Sequence, residues 1–254
     1  MTTISLVSMV KNEEKNIRKM IESVLPIVDE ICILDTGSTD TTLELVRAIA
    51  DEHTDKTWVV KESEFKNFVD SKNDALAMPS SDYILFMDAD EYFIEGLEFM
   101  RDFVSKGYPC ASVMIREGTS VITTNQYPRP RLWKNDPAWS FKGPGVHEYL
   151  SGPAPPALVR EAIVRHDHTF KNMSESGQRW ELYLETLKDA LQKNPDDPRA
   201  RFYLARTLKD MTRPIEAIEE YERYLALGGN AFKDERWQAA YDIGVCYRTA
   251  GEYD

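Results

Sequence analysis

The first ninety residues alternate short apolar segments with amphipathic ones, and this rhythm constrains the fold more than any other feature. The apolar, β-branched segments ISLVSMV, EICILD, TWVV and YILFMD have the length of buried strands. Between them, EEKNIRKMIESVL, TDTTLELVRAIADEH and NFVDSKNDALAM carry apolar residues at helical spacing. The alternation predicts an α/β fold of right-handed βαβ units, with helices flanking a mainly parallel sheet.

Acidic residues follow two of the predicted strands. Asp35 closes EICILD, whereas Asp88 closes YILFMD and Asp90 follows it closely. Ligands of parallel sheets bind at the carboxyl ends of the strands, so we expect these acids at one edge of the sheet. Because side chains two positions apart on a strand share a side, Asp88 and Asp90 are predicted to face one Mg²⁺ or Mn²⁺ ion.

Composition narrows the classes of partner. The chain has 254 residues and a net charge of -12, which disfavours nucleic acid and anionic membrane as general partners. It lacks the features of a signal peptide and of a membrane span, and its three cysteines lie far apart in apolar patterns. We therefore predict a cytoplasmic protein with reduced, buried thiols, and peripheral membrane association stays open.

The alternation of short apolar and amphipathic segments ends after Phe93. EGLEFMRDFV predicts a helix, and CASVMIRE and SVITTNQ predict a hairpin around Gly118. Shorter strand-like segments follow, and they contain Trp133 and Trp139, for which core packing is preferred to a platform for an acceptor. We place the end of the first domain at residue 172.

Residues 173–254 read as helical. Ala205, Ala217 and Tyr221 stand where a tetratricopeptide repeat has small, small and aromatic residues, and Gly244 takes the place of Ala205 in a second copy. This second copy stops before its second helix, so we expect the natural chain to continue beyond residue 254. A plain helical cap is the alternative interpretation.

Four segments together resemble family 2 glycosyltransferases with the GT-A fold: ISLVSMVKNEEKNI, EICILDTGSTDTT, SKNDALAMPSSDYILFMDADEYF and WSFKGPGVHEYL. The resemblance covers about residues 3–170, and the helical tail is similar to bacterial members that carry tetratricopeptide repeats. It implies an inverting, metal-dependent enzyme that transfers a sugar from a nucleotide-sugar, with UDP the expected nucleotide. The expected acceptor is a saccharide, a lipid-linked glycan or a peptide, and the repeats are expected to bind that acceptor or a second copy of the chain.

Two other classes of function compete with the glycosyltransferase interpretation. A repeat-based binding scaffold with an inactive transferase-like domain is the main alternative, and the intact acids count against it. The segment VSMVKNEE after the first strand contains no glycine. This excludes the G-x-G-x-x-G of a dehydrogenase and disfavours the glycine-rich loop of a sugar nucleotidyltransferase.

The resemblance also implies roles for single residues on the donor side. Asp35 matches the acid that contacts the base or ribose of the nucleotide, and Asp88 is expected near the ribose and the metal. The full set expected to bind the donor is Lys11, Glu13, Asp35, Lys72, Asp88, Arg131 and His147.

The remaining roles concern catalysis and the metal. Glu148 in GVHEYL is the expected general base, with Asp136 and Glu117 as less well placed rivals. Asp90 is the expected ligand of Mn²⁺ or Mg²⁺. His168, preferred to His166, is expected to complete the coordination of the metal.

Overall fold

The computed structural model of the chain describes residues 2–117, 125–167, 173–227 and 233–251. They divide into two compact units. The first comprises the described residues of Met1–Lys66, Asp70–Phe141 and Leu150–Phe170. The second comprises those of Asn67–Val69, Lys142–Tyr149 and Lys171–Asp254. The helical unit thus takes in two short segments that the sequence analysis placed in the first domain.

The strands are β1 (Ile4–Val10), β2 (Glu30–Asp35), β3 (Thr57–Glu62), β4 (Tyr83–Phe86), β5 (Glu91–Glu95), β6 (Cys110–Glu117), β7 (Gln126–Lys134), β8 (Ser140–Lys142), β9 (Tyr149–Ser151) and β10 (Ala157–His166). Within the described ranges, eight of them form one sheet in the order β3-β2-β1-β4-β7-β6-β10-β5, and β8 pairs with β9. β3, β2, β1 and β4 are mutually parallel, as are β6 and β10, whereas β7 and β5 run antiparallel to their neighbours. The predicted GT-A-type, mainly parallel sheet is confirmed.

Helices cover both faces of this sheet. They are α1 (Ile17–Val24), α2 (Thr42–Glu52), α3 (Phe68–Leu76) and α4 (Glu98–Ser105). Consecutive residues of β1 point to opposite faces, so that Leu6 joins a core with α1, α2 and α4, while Val7 joins a second core with Ala75 of α3. The sequence pattern follows this division, since strands buried on both faces are apolar throughout.

The turn after β4 departs from the sequence prediction. β4 ends at Phe86, and the Glu91 N–H donates to the Asp88 carbonyl oxygen at 3.0 Å, so residues 88–91 form a turn that leads into β5. The expectation that Asp88 and Asp90 share one strand side is wrong, because the chain turns between them. β5, missing from the prediction, lies at the sheet edge against β10.

β6 matches the predicted strand CASVMIRE, but its antiparallel partner is β7, which begins at Gln126, where the predicted strand SVITTNQ ends. Gly118 and most of the predicted strand SVITTNQ lie outside the described residues. Trp133 is 1% exposed and Trp139 is 6% exposed, which confirms that both tryptophans pack in the core. Cys32, Cys110 and Cys246 are buried free thiols, as predicted.

The helical unit contains α5 (Met173–Lys193), α6 (Pro198–Asp210), α7 (Pro214–Ala226) and α8 (Lys233–Ala250). The short connections between α5, α6 and α7 make these helices antiparallel neighbours. Ala205, Ala217 and Tyr221 are fully buried at the helix contacts, as expected for repeat positions. Gly244 instead lies exposed on α8, with open space around it. No helix in the described ranges is long and apolar enough to cross a membrane.

Candidate active site

Asp88 lies at the centre of a charged cluster at the carboxyl end of β4. Lys72 Nζ is 2.7 Å from Asp88 Oδ1, and Arg131 Nη2 is 2.9 Å from Oδ2. Arg129 Nη1 lies 3.9 Å from Oδ2 on the more exposed side. Burial raises the pKa of Asp88, but the charges of Lys72, Arg131 and Arg129 outweigh it and hold the pKa well below its usual range. Asp88 is therefore an ionised carboxylate in a basic setting.

Glu91 is the buried counterpart of this cluster. It is fully buried, and its Oε1 accepts a hydrogen bond from Arg131 Nη2 at 2.5 Å. Its other oxygen accepts from the Asp88 N–H at 3.2 Å, which fixes the turn. Burial lowers the pKa of Arg131, but Glu91 and Asp88 raise it above its usual range. Arg131, which was expected to bind the donor, is thus held by the carboxylates of Glu91 and Asp88.

Asp90 points to a different partner from Asp88. Asp90 is 6% exposed, and His166 Nε2 at the end of β10 lies 3.2 Å from its Oδ2. Burial lowers the pKa of His166, but the hydrogen bond and charge of Asp90 outweigh it and raise the pKa above its ordinary value. The Asp167 N–H donates to the Asp90 carbonyl oxygen at 2.8 Å. His168 lies outside the described residues.

The pair of Asp90 and His166 fits a divalent cation that also binds phosphate. A carboxylate oxygen suits Mg²⁺ or Mn²⁺, and an imidazole nitrogen suits transition metals. Within the described ranges, no three His, Cys, Asp or Glu side chains converge as a complete metal site. Mg²⁺ sites that use substrate phosphates take only one or two carboxylates from the protein, and Asp90 provides one carboxylate here.

Asp35 ends β2 at the same edge of the sheet. It is 1% exposed, and its Oδ1 accepts hydrogen bonds from the N–H groups of Gly37 and Ser38, both at 2.8 Å. These hydrogen bonds hold the loop before α2. Its Oδ2 is buried and has no hydrogen-bond partner among the described residues. One oxygen of Asp35 therefore shapes the loop, and the other is a buried acceptor that no described residue satisfies.

The loop after β1 is tied to the loop that follows Asp35. Asn12 has a left-handed backbone (φ 55°), and its N–H donates to Ser38 Oγ at 2.9 Å. Lys11 is exposed at the end of β1. Glu13 accepts a hydrogen bond from the Asn16 side chain at 2.7 Å, as a residue at a helix entry does. Asn12 thus connects the two loops at this edge of the sheet.

His147 and Glu148 belong to the helical unit. His147 has a left-handed backbone (φ 52°), and its ring stacks on that of Tyr203 at 4.0 Å with planes 13° apart. Burial, with Arg206 and two further arginines nearby, lowers the pKa of His147 to about 4, against a smaller opposite effect of Glu148. Glu148 is half-buried. His147 is therefore a neutral ring at neutral pH, packed against α6.

Asp136 and Glu117, the two rivals of Glu148 as general base, have different surroundings. Asp136 is exposed, and its Oδ1 accepts from the Ala138 N–H at 2.8 Å. Glu117 accepts a hydrogen bond from the Tyr127 hydroxyl at 2.6 Å and lies 3.5 Å from His166 Nδ1. Glu117 thus belongs with the Asp90 and His166 pair.

Comparison with known proteins identifies the family. The family model described as "Glycosyl transferase family 2" matches residues 5–149, more than half of the chain. The chain belongs to glycosyl transferase family 2. The match contains Asp35, Asp88, Asp90 and Glu148.

Three proteins illustrate what this family 2 chain is similar to. A TPR repeat-containing protein of Synechococcus elongatus is 26% identical over 100% of the chain and 64% of its own length. The prophage-derived glycosyltransferase SunS of Bacillus subtilis is 25% identical over 91% of the chain and 54% of its own length. The crystal structure of S. aureus TarS 1-349 in complex with UDP aligns with 97% of this chain and 89% of that chain, at 14% identity and a TM-score of 0.48. The chain therefore spans less than two thirds of the length of the Synechococcus elongatus protein and of SunS.

Three residues of this family 2 chain gained importance only from the structure. Glu91 looked like part of an acidic run, and its pairing with Arg131 depends on the turn before β5. His166 had a signal, since it ends a strand-like segment, but only the pairing of β10 with β5 brings it opposite Glu91 and next to Asp90. Arg199 had no signal in the sequence, because its hydrogen bond to the His147 carbonyl oxygen joins residues 52 positions apart.

Proposed function

We propose that the chain is an inverting, metal-dependent glycosyltransferase that uses a nucleotide-sugar, with UDP as the nucleotide. An acceptor hydroxyl or side-chain group attacks the sugar C1 and gives its proton to the Glu148 carboxylate. The new bond to C1 forms as the bond from C1 to the diphosphate oxygen breaks, and UDP leaves with that electron pair. The acceptor is a saccharide, a lipid-linked glycan or a peptide.

The turn of Asp88 and Asp90 carries this proposal. It lies at the carboxyl end of a parallel strand, where ligands of such sheets bind. Asp88 stays ionised between Lys72 and Arg131, and this supports a role in orienting the ribose end of a nucleotide. Asp90 and His166 supply the carboxylate and imidazole that would hold the metal. His166 is proposed on its contact with Asp90, and His168, which lies outside the described residues, stays a candidate ligand.

The cation would neutralise charge on the departing diphosphate, which is the chemistry that it supplies when bound. The protein residues do the rest of the positioning. The buried, unpartnered oxygen of Asp35 supports a contact with the base or ribose, and the linked loop that carries Lys11 and Glu13 supports an enclosure for the base. Arg129, half-exposed beside Asp88, is a further candidate for phosphate contact.

The helical unit has a separate proposed role. Its repeat-like packing supports binding of the acceptor or of a second copy of the chain, since helical repeats present extended binding surfaces. His147 is proposed to orient Glu148 or to contact a phosphate as a neutral hydrogen-bonding group.

Calorimetric titration of UDP in the presence of Mn²⁺ tests the proposal. Asp90→Asn and His166→Gln should each weaken Mn²⁺-dependent binding by about tenfold or more, because each removes a ligand with little change in size. Chelation with EDTA should weaken binding by the wild-type protein in the same way. Asp136→Asn is the matched control, since it makes the same change in an exposed acid of the same unit.

Equal affinity of Asp90→Asn and wild type would remove Asp90 from the metal site. Affinity that does not respond to EDTA would contradict metal-dependent donor binding. Weakening by Asp136→Asn as strong as that by Asp90→Asn would show a general effect of charge.

A further inference from the structure

The loop that carries Glu148 has an unusual backbone that needs support. His147 lies in the left-handed region at φ 52°, which non-glycine residues rarely adopt. Such conformations persist when the surrounding structure fixes them. Because Glu148 follows directly, the direction of its side chain depends on what holds the backbone of His147.

Arg199 provides this support from the first turn of α6. Asp197 caps α6 by accepting from the Arg199 and Ala200 N–H groups at 2.9 and 3.0 Å, which fixes the start of the helix. Arg199 Nη2 and Nε both donate to the His147 carbonyl oxygen, at 2.9 and 3.3 Å. The guanidinium thus holds the peptide that joins His147 to Glu148.

The guanidinium is itself fixed by other contacts within the helical unit. Its Nη1 donates to Glu235 Oε1 on α8 at 2.8 Å. Its carbon lies 4.8 Å from the centre of the Tyr203 ring and 4.9 Å from that of the Tyr149 ring. Lysine has neither the planar guanidinium with its several N–H donors nor the same stacking on aromatic rings. Only arginine can therefore make this set of contacts.

We propose that Arg199 is a positioning residue, which holds the peptide at His147 and thereby directs the Glu148 carboxylate. The inference rests on the proposed function, in which Glu148 is the general base. A displacement of about 1 Å in a catalytic group costs on the order of a hundredfold in rate. The helical unit therefore acts in the reaction through Arg199, in addition to any role in binding.

The chain offers a matched control on the same helix. Arg201 also bonds a carboxylate and a backbone carbonyl, since its Nη1 lies 2.6 Å from Glu220 Oε2 and its Nη2 donates to the Pro195 carbonyl oxygen at 2.6 Å. Its side chain is 14% exposed and that of Arg199 is 19% exposed. None of the bonds described for Arg201 involves residues 143–149.

Two measurements on the full chain test the inference. Hydrogen exchange read by mass spectrometry reports the order of residues 143–149 without turnover. Arg199→Ala should speed exchange there by about tenfold or more, whereas Arg201→Ala should not. UDP release from UDP-glucose and UDP-N-acetylglucosamine, with Mn²⁺ and water as acceptor, reports chemistry. Arg199→Ala should lower kcat by about tenfold to a hundredfold with KM for the donor unchanged, and Arg199→Lys should recover part of the loss.

Effects of Arg199→Ala no larger than those of Arg201→Ala, on exchange or on kcat, would overturn the inference. If Glu148→Gln is inactive in the same assay, that result leaves the proposed function standing. If Glu148→Gln is fully active, Glu148 is not the general base, and the inference about Arg199 fails with it. This outcome is measured on Glu148→Gln alone, so it is distinguished from a negative result with the Arg199 variants.

Discussion

At the scale of single residues, Arg131 is the most constrained charge in the candidate site. Its side chain is 4% exposed and bridges Glu91, which is fully buried, and Asp88, whose side chain is 24% exposed. Removing one member of such a group leaves an uncompensated buried charge, which costs far more than an exposed ion pair contributes.

Arg131→Met should therefore lower the free energy of unfolding of the first unit by about 3–5 kcal/mol, because Glu91 stays buried without its cation. Arg47→Met is the control, since Arg47 and Glu62 form an exposed pair at 3.5 Å, and it should change stability by less than about 1 kcal/mol. Urea unfolding followed by tryptophan fluorescence measures both. Similar small losses in the two variants would mean that the buried cluster is solvated.

His147 gives a second prediction at this scale, because the pKa falls from an ordinary 6.5 to about 4 in the folded chain. Between these values the unfolded chain binds a proton that the folded chain does not, so stability is lost as the pH falls through this window. His147→Asn, which tolerates the left-handed backbone, should reduce that loss by on the order of 1–2 kcal/mol, since the ring is partly shielded. Urea unfolding at pH 7 and pH 4.5 measures it. An equal loss of stability in variant and wild type would contradict the prediction.

The sequence predicts single site residues where they follow an apolar strand. Asp35, Asp88 and Asp90 could be placed at one sheet edge because the strands before them are so clearly buried. The partners of these acids could not be predicted. Lys72 and Arg131 were expected to bind the donor, and the structure adds that both contact Asp88. Pairings of this kind depend on the angle of a turn, which no local pattern encodes.

At the scale of elements, the close approach of β5 and β10 depends on a glycine. β10 has an irregular register between Val159 and Ile163, and the Glu161 carbonyl lies within this stretch. Gly96, at the end of β5, has a left-handed backbone (φ 72°), and a Cβ there would overlap the Glu161 carbonyl oxygen. Gly107 has the same φ with open space around it.

Gly96→Ala and Gly107→Ala therefore form a matched pair. Gly107→Ala should cost only the left-handed penalty of about 1–2 kcal/mol. Gly96→Ala must also move the backbone of β10, so it should cost clearly more and weaken Mn²⁺-dependent UDP binding through His166. Urea unfolding and calorimetry measure the two effects. Equal losses for the two variants would show that β10 yields freely to the added Cβ.

The strands and helices that the sequence predicted best are those whose residues are most buried. β1 and β2 match the predicted ranges because apolar residues fill both faces, and α1 buries the Ile17, Met20, Ile21 and Val24 stripe that predicted it. β5 was missed because its sequence, EYFIE, is acidic and lies at an edge. Its pairing with β10 is a tertiary interaction between segments about seventy residues apart.

At the scale of the whole molecule, the sequence motifs of the family are divided between two compact units. Asp35, Asp88 and Asp90 belong to the first, whereas His147 and Glu148 belong to the helical unit. The sequence predicted a boundary near residue 172 because the change to helical spacing is plain there. It could not show that residues 142–149 associate with the helices, since those contacts involve side chains such as Tyr203 and Arg199.

Glu148 is the group proposed to accept the proton in sugar transfer. The most direct measurement is UDP release from UDP-glucose and UDP-N-acetylglucosamine with Mn²⁺, alongside calorimetric donor binding, for wild type, Glu148→Gln and the rival Asp136→Asn. Glu148→Gln should bind the donor as wild type does and lose turnover by about a hundredfold or more, while Asp136→Asn keeps both. Full turnover by Glu148→Gln would contradict the account, and loss of turnover in Asp136→Asn instead would transfer the role to Asp136.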